Sequence, residues 1–86
     1  MPRLSEFYGI IIAMYYRDHA PPHFHAIYGG NEAEFAISSG QLYAGHLPPR
    51  ALGLVQEWAR IHRGELEEDW KRARDHRPLV PIAPLD

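Results

Sequence analysis

The chain has 86 residues, 45% of them hydrophobic and 23% charged, a formal net charge of −2 and no cysteine. That length makes one domain rather than two, with a modest core that gains from association with another copy or another protein. Without cysteine there is neither a disulfide framework nor a thiolate metal site. The charge balance argues against a dedicated nucleic-acid binder, though not against an enzyme acting on RNA through a local patch.

Residues 1–6 read as a lead-in, and Phe7 to Tyr16 as one strand, rich in Ile and Tyr and apolar on both faces. Its apolar run, Tyr8 to Tyr16, is far below the ~20 residues of a membrane span. No small-residue cleavage site follows it, so it is not read as a signal peptide. Arg17 to Pro22 is a connection stiffened by Pro21 and Pro22. His23 to Tyr28 is a second strand, Gly29-Gly30-Asn31 a tight hairpin, and Glu32 to Ser38 a third strand. After a turn at Ser39-Gly40, Gln41 to Leu47 is a weaker fourth strand, with Leu42 and Ala44 on the core side if that turn has two residues.

Strand parity assigns the faces. If Phe24, Ala26 and Tyr28 share the core side with Ala33, Phe35 and Ile37, then His23, His25, Glu32 and Glu34 share the other. With Gly29-Gly30 at the centre of the turn, His25 lies directly across from Glu34. With Gly30-Asn31 there, it faces Ala36.

Pro48-Pro49 starts a helix. From Arg50 to about Arg74 an inward stripe runs Leu52, Val55, Ala59, His62, Leu66, Trp70 and Ala73, widened by Leu54, Trp58 and Ile61. The reading is one long helix, with a possible bend at Gly64. Its second half overhangs the sheet or meets something else, which singles out Trp70. Arg77 to Asp86, with Pro78, Pro81 and Pro84, is an extended tail whose apolar residues dock. The expected fold is thus α+β: a four-stranded antiparallel meander with one long C-terminal helix on the Phe24/Phe35 face. The histidine face points away from that helix.

The chemistry concentrates in Asp18-His19-Ala20-Pro21-Pro22-His23-Phe24-His25. His23 and His25, two apart on a strand, point the same way and supply two imidazoles to a divalent metal. Glu34, Asp18 or His19 could complete the site. Acid–base catalysis without metal is the second reading. Asp18, His19, His23 and His25 are its candidates, and Arg17 would hold a phosphate. The third is structural: histidines fixing a strand entry and Asp18 capping a turn. His62 reads as a core-edge residue, and His46 and His76 as surface. Glu67–Lys71 and Glu68–Arg72 read as pairs on a solvated helix face.

Phe7-Tyr8-Gly9-Ile10-Ile11-Ile12, the Asp18 to His25 run with Ala26, Tyr28 and Gly29, Leu47-Pro48, Arg50-Ala51-Leu52, Glu57-Trp58-Ala59, His62-Arg63 and Trp70 together resemble one family. It is the bacterial domain of unknown function family 4160, and the likeness covers nearly the whole chain. The resemblance implies a small cytoplasmic protein encoded beside a second small protein, in an arrangement like a toxin–antitoxin module. The expected partner is that cognate protein or a second copy, with nucleic acid as a further candidate and no membrane. Gly64 departs from the pattern, since a helix former such as Glu is expected there.

Overall fold

The structure, a computed structural model, describes residues 2–86. Five strands precede two helices: β1 Arg3–Phe7, β2 Ile10–Ala13, β3 His23–Tyr28, β4 Asn31–Ala36, β5 Leu42–Gly45, α1 Pro49–Ile61 and α2 Arg63–Arg74. The strands form one antiparallel sheet in sequence order, a five-stranded meander rather than the expected four.

The extra strand comes from the N-terminal segment. Tyr8 and Gly9 both take left-handed φ, 51° and 77°, and turn the chain back so that Phe7 faces Ile10. Two adjacent positive φ values make the tight turn whose twist suits a hairpin. What reads as one strand from Phe7 to Tyr16 is therefore the end of β1, a turn, and β2. The lead-in is β1 itself, with Leu4 and Phe7 buried.

The β3–β4 hairpin has Gly29-Gly30 at its centre, with Phe24 opposite Phe35, Ala26 opposite Ala33 and His25 opposite Glu34. Phe24 and Phe35 stack at 5.4 Å on the core face. Tyr28, expected there too, is 37% exposed at the end of its strand. Beyond the turn at Ile37–Ser39, β5 carries a bulge. Phe35 pairs with Leu42 and Glu34 with Ala44, so Tyr43 is the extra residue and its ring stands beside His23. As an edge-strand residue, Leu42 is exposed instead of buried. Gly45 closes β5 at φ +82°; a Cβ there would lie 2.2 Å from the Glu32 carbonyl oxygen.

Pro49 opens α1, where its missing N–H is no loss. Trp58 is the centre of the core: its ring lies 5.5 Å from Phe7 and 5.9 Å from Phe24. The expected single helix is two, broken at His62 (φ −109°, ψ 24°) and not at Gly64. Gly64 is the second residue of α2, so a residue of low helical propensity weakens the first turn after the break. The Glu65 carboxylate accepts from the His62 ring across that turn. The stripe still holds through Val55, Ala59, Leu66, Trp70 and Ala73, all buried, whereas Ile61 is 55% exposed.

The tail docks on both layers. The Ile82 N–H donates to the Leu4 carbonyl, Trp58 Nε1–H to the Ala83 carbonyl, and the Val80 N–H to Asp69 Oδ1. Asp69 is buried, and its Oδ1 also accepts from Arg72. These anchors give α2 the partner that its overhang demands. No helix among the described residues is long and apolar enough to cross a membrane.

Candidate metal centre

Asp18 lies in the β2–β3 connection, and Pro21 and Pro22 separate it from the first residue of β3. The prolines hold that connection close to the strand it enters. His23 and His25 follow at strand spacing and so share the face opposite Phe24. The result is convergence on one oxygen. Asp18 Oδ2 lies 2.8 Å from His23 Nε2 and 3.0 Å from His25 Nε2. One ligand atom from each of these residues lies within 4.8 Å of the others. The second carboxylate oxygen, Oδ1, accepts the His19 N–H at 3.0 Å and so fixes the carboxylate's direction.

The outer ring nitrogens are also engaged. His23 Nδ1 lies 2.8 Å from the Pro21 carbonyl, and His25 Nδ1 lies 3.1 Å from Glu32 Oε2. A carbonyl or a carboxylate can only accept, so each Nδ1 carries the proton. In a neutral ring that tautomer leaves the Nε2 lone pair facing Asp18. Two lone pairs and a carboxylate oxygen then meet at one point, an arrangement that a cation or two added protons must relieve.

Aromatic rings wall the cluster. Tyr15 packs edge-on against His25 at 4.4 Å and Tyr43 against His23 at 5.5 Å. Trp70 of α2 closes a third side, 5.3 Å from His23. His23 is 1% exposed and His25 7%. The expected open face is therefore a covered one. Parity is as expected, but α2 and β5 reach over the rim, because the helix break and the β5 bulge bring Trp70 and Tyr43 there.

Glu34 stands at the open edge, its side chain 34% exposed, with Oε1 3.4 Å from His23 Nε2. It accepts the Tyr43 hydroxyl at 3.0 Å. Burial raises the Asp18 carboxyl, but in the form with two added protons the Nε2–H groups of His25 and His23 donate to it and the His23 charge adds, which outweighs burial and leaves the group below the usual carboxylate range. Partial burial, the hydrogen bond to Glu34 and the charges of Glu34 and Asp18 push the Tyr43 hydroxyl up to about 12. Burial and the charges of Glu32, Asp18 and Glu34 push Tyr15 up as well.

The other candidates are placed elsewhere. The His19 ring is 94% exposed and 4.0 Å from Asp18 Oδ1. Arg17 Nε–H donates to His76 Nε2 at 2.6 Å, and the His76 ring stacks on Tyr16, so the guanidinium is tied to the end of α2. Four participants escape a reading by residue type: Glu32, Tyr15, Tyr43 and Trp70. Glu32 was legible by parity, being diagonal to His25. Tyr43 was not, since the bulge that turns it leaves no mark in the sequence.

A family model described as domain of unknown function (DUF4160) matches residues 9–71. The chain belongs to this family. The DUF4160 match spans every side chain of the cluster and its walls, from Tyr15 to Trp70, but not β1 or the tail. No curated protein and no solved structure matches the chain.

Proposed function

We propose that this protein binds a divalent metal through His23 Nε2, His25 Nε2 and Asp18 Oδ2. One observation carries the reading: both Nδ1 atoms face acceptors, which leaves both Nε2 atoms free to ligate. Imidazole ligands held through their outer N–H by a carbonyl or carboxylate are the usual companion of a metal site. Pro21 and Glu32 have that role here. Two histidines and one carboxylate suit divalent iron, manganese or zinc. Glu34 and Tyr43 line an exposed side of the cluster, with Glu34 Oε1 3.4 Å from His23 Nε2, so further coordination positions would face them. The untagged protein, grown metal-replete, is expected to carry about one metal per chain by elemental analysis, and Asp18→Asn and His25→Gln variants to lose it. A folded wild-type protein without metal after such growth removes the reading.

A hydrolytic use of the same residues is the second reading. The chain would be the cytoplasmic component of a toxin–antitoxin-like pair that cleaves a phosphodiester, with a small cognate protein or a second copy as partner. The family resemblance supports the context. The Asp18–His25 contact supports the chemistry, since an imidazole paired with a carboxylate is a usual proton-transfer group. Incubation of RNA with wild type and His25→Ala, each released from any co-purifying protein, tests it. RNA left intact by the wild type ends this reading and leaves the metal reading untouched.

A further inference from the structure

Two shallow cavities lie side by side between the Ile37–Gln41 turn and the helices, and Ile37 lines both. The first, about 300 Å³, has Arg60 and Arg63 on its wall; the second, about 400 Å³, has Lys71 and Arg74. All four cations are exposed. Arg60 comes from α1 and the other three from α2, where Arg63 and Arg74 are about 16 Å apart at 1.5 Å per residue. Only Glu57 and Glu67 oppose them, so the groove carries +2 on a chain whose formal charge is −2. Ion pairs among the described residues engage neither Arg60, Arg63 nor Arg74. Lys71 meets Glu68 only at 3.8 Å. The far wall is fixed, because Gln56 Nε2–H donates to the Gly40 carbonyl and ties the turn to α1.

We infer that this groove binds the phosphate backbone of a single-stranded nucleic acid. A run of exposed cations, three of them outside any ion pair, suits the repeating phosphates of a strand. The arginine forks suit phosphate oxygens, and the amides and hydroxyls of Gln41 and Ser39 add neutral donors. The indole of Trp70 is buried, so it offers no platform for stacking bases. Contact is therefore with the backbone and is indifferent to sequence. Trp70 and Pro22 line the groove, and both border His23, which puts a bound strand next to the Asp18 cluster. The groove itself stands without the metal reading.

Fluorescence anisotropy of a labelled mixed-sequence RNA single strand, titrated with the full chain over a salt series, tests the assignment. Binding is expected at low salt and falls as salt rises. Arg60→Ala combined with Arg74→Ala is expected to weaken it roughly tenfold and to flatten the log–log salt slope by about 1.4, that is 0.7 for each of two lost phosphate contacts. Arg50→Ala, at the other end of the sheet beside Tyr8 and Tyr28, leaves both unchanged. Thermal melting and metal content of the double variant should match the wild type, so a failure here is separate from a failure of the metal reading. No binding at low salt, or binding unaffected by the double substitution, overturns the proposal. So does a polyglutamate peptide that binds as tightly as RNA, which would make the groove a dock for an acidic protein.

Discussion

Asp18 and His23 are five residues apart in sequence and 2.8 Å apart in space, oxygen to nitrogen, with His25 meeting the same oxygen at 3.0 Å. A single carboxylate oxygen shared by two imidazoles is a demanding arrangement. It is stable only when something positive sits among the three groups. Asp18→Asn keeps the shape and removes the charge. It is expected to abolish metal content while far-UV circular dichroism stays that of the wild type. Retained metal in that variant would show that the ligands lie elsewhere.

Glu32 acts one step further out. Its carboxylate holds His25 Nδ1, and loss of such a partner typically costs about 10- to 100-fold in metal affinity. Glu32→Gln is therefore expected to weaken metal binding by about that factor without eliminating it, measured by competition with a chromophoric chelator. Complete loss would promote Glu32 to a ligand.

Metal bound only by the folded chain stabilises it by mass action. At free metal about a hundred times Kd the gain is about 2.7 kcal/mol. Added chelator should lower the melting temperature of the wild type and leave a His23→Gln, His25→Gln protein where it is. Equal shifts in both proteins would place the metal at another site.

Tyr43 gives a pH signature. Its hydroxyl is neutral when protonated, and burial together with the Glu34 contact pushes it up to about 12 in the folded chain, against an ordinary value of 10.0. A folded value raised above the unfolded one means that the stabilisation is complete below pH 10. It is then lost as pH rises through about 12. The difference in tyrosinate absorbance between wild type and Tyr43→Phe should show a midpoint near 12. A midpoint near 10 would mean that the Tyr43 hydroxyl is neither buried nor held by Glu34 in solution.

Gly45 tests the bulged edge. Left-handed φ costs a non-glycine residue roughly 1–2 kcal/mol, and overpacking adds about 1–3 kcal/mol. With backbone 2.2 Å from the Cβ position, Gly45→Ala is expected to lose about 2–5 kcal/mol in urea unfolding. Because β5 carries Tyr43, the Tyr43 titration midpoint should fall toward 10 in the same variant.

What could be read from residues alone was what local periodicity controls. Strand β3 is legible to the residue, since Gly29-Gly30 fixes its end and alternation fixes its faces. Tyr8-Gly9 was hidden inside an unbroken apolar run, where a lone glycine is the only mark of a turn. The helix break was foreshadowed by Gly64 yet falls at His62, where the chain bends for Trp70 to reach the rim. The cluster's inner atoms follow from strand parity and the Pro21-Pro22 loop. Its walls do not, because they depend on a bulge and a bend that tertiary packing selects.

The bond from the Ile82 N–H to the Leu4 carbonyl joins positions 78 residues apart in sequence, 4 to 82. The sheet can pair early through its short hairpins, β1 with β2 included, but this contact joins the segments furthest apart, and Trp58 waits on the same stretch for the Ala83 carbonyl. Docking of residues 80–83 is thus the slow, high-separation step of folding. Until it happens the outer edge of β1 is open to a strand of another chain, so a substitution that loosens this stretch invites aggregation.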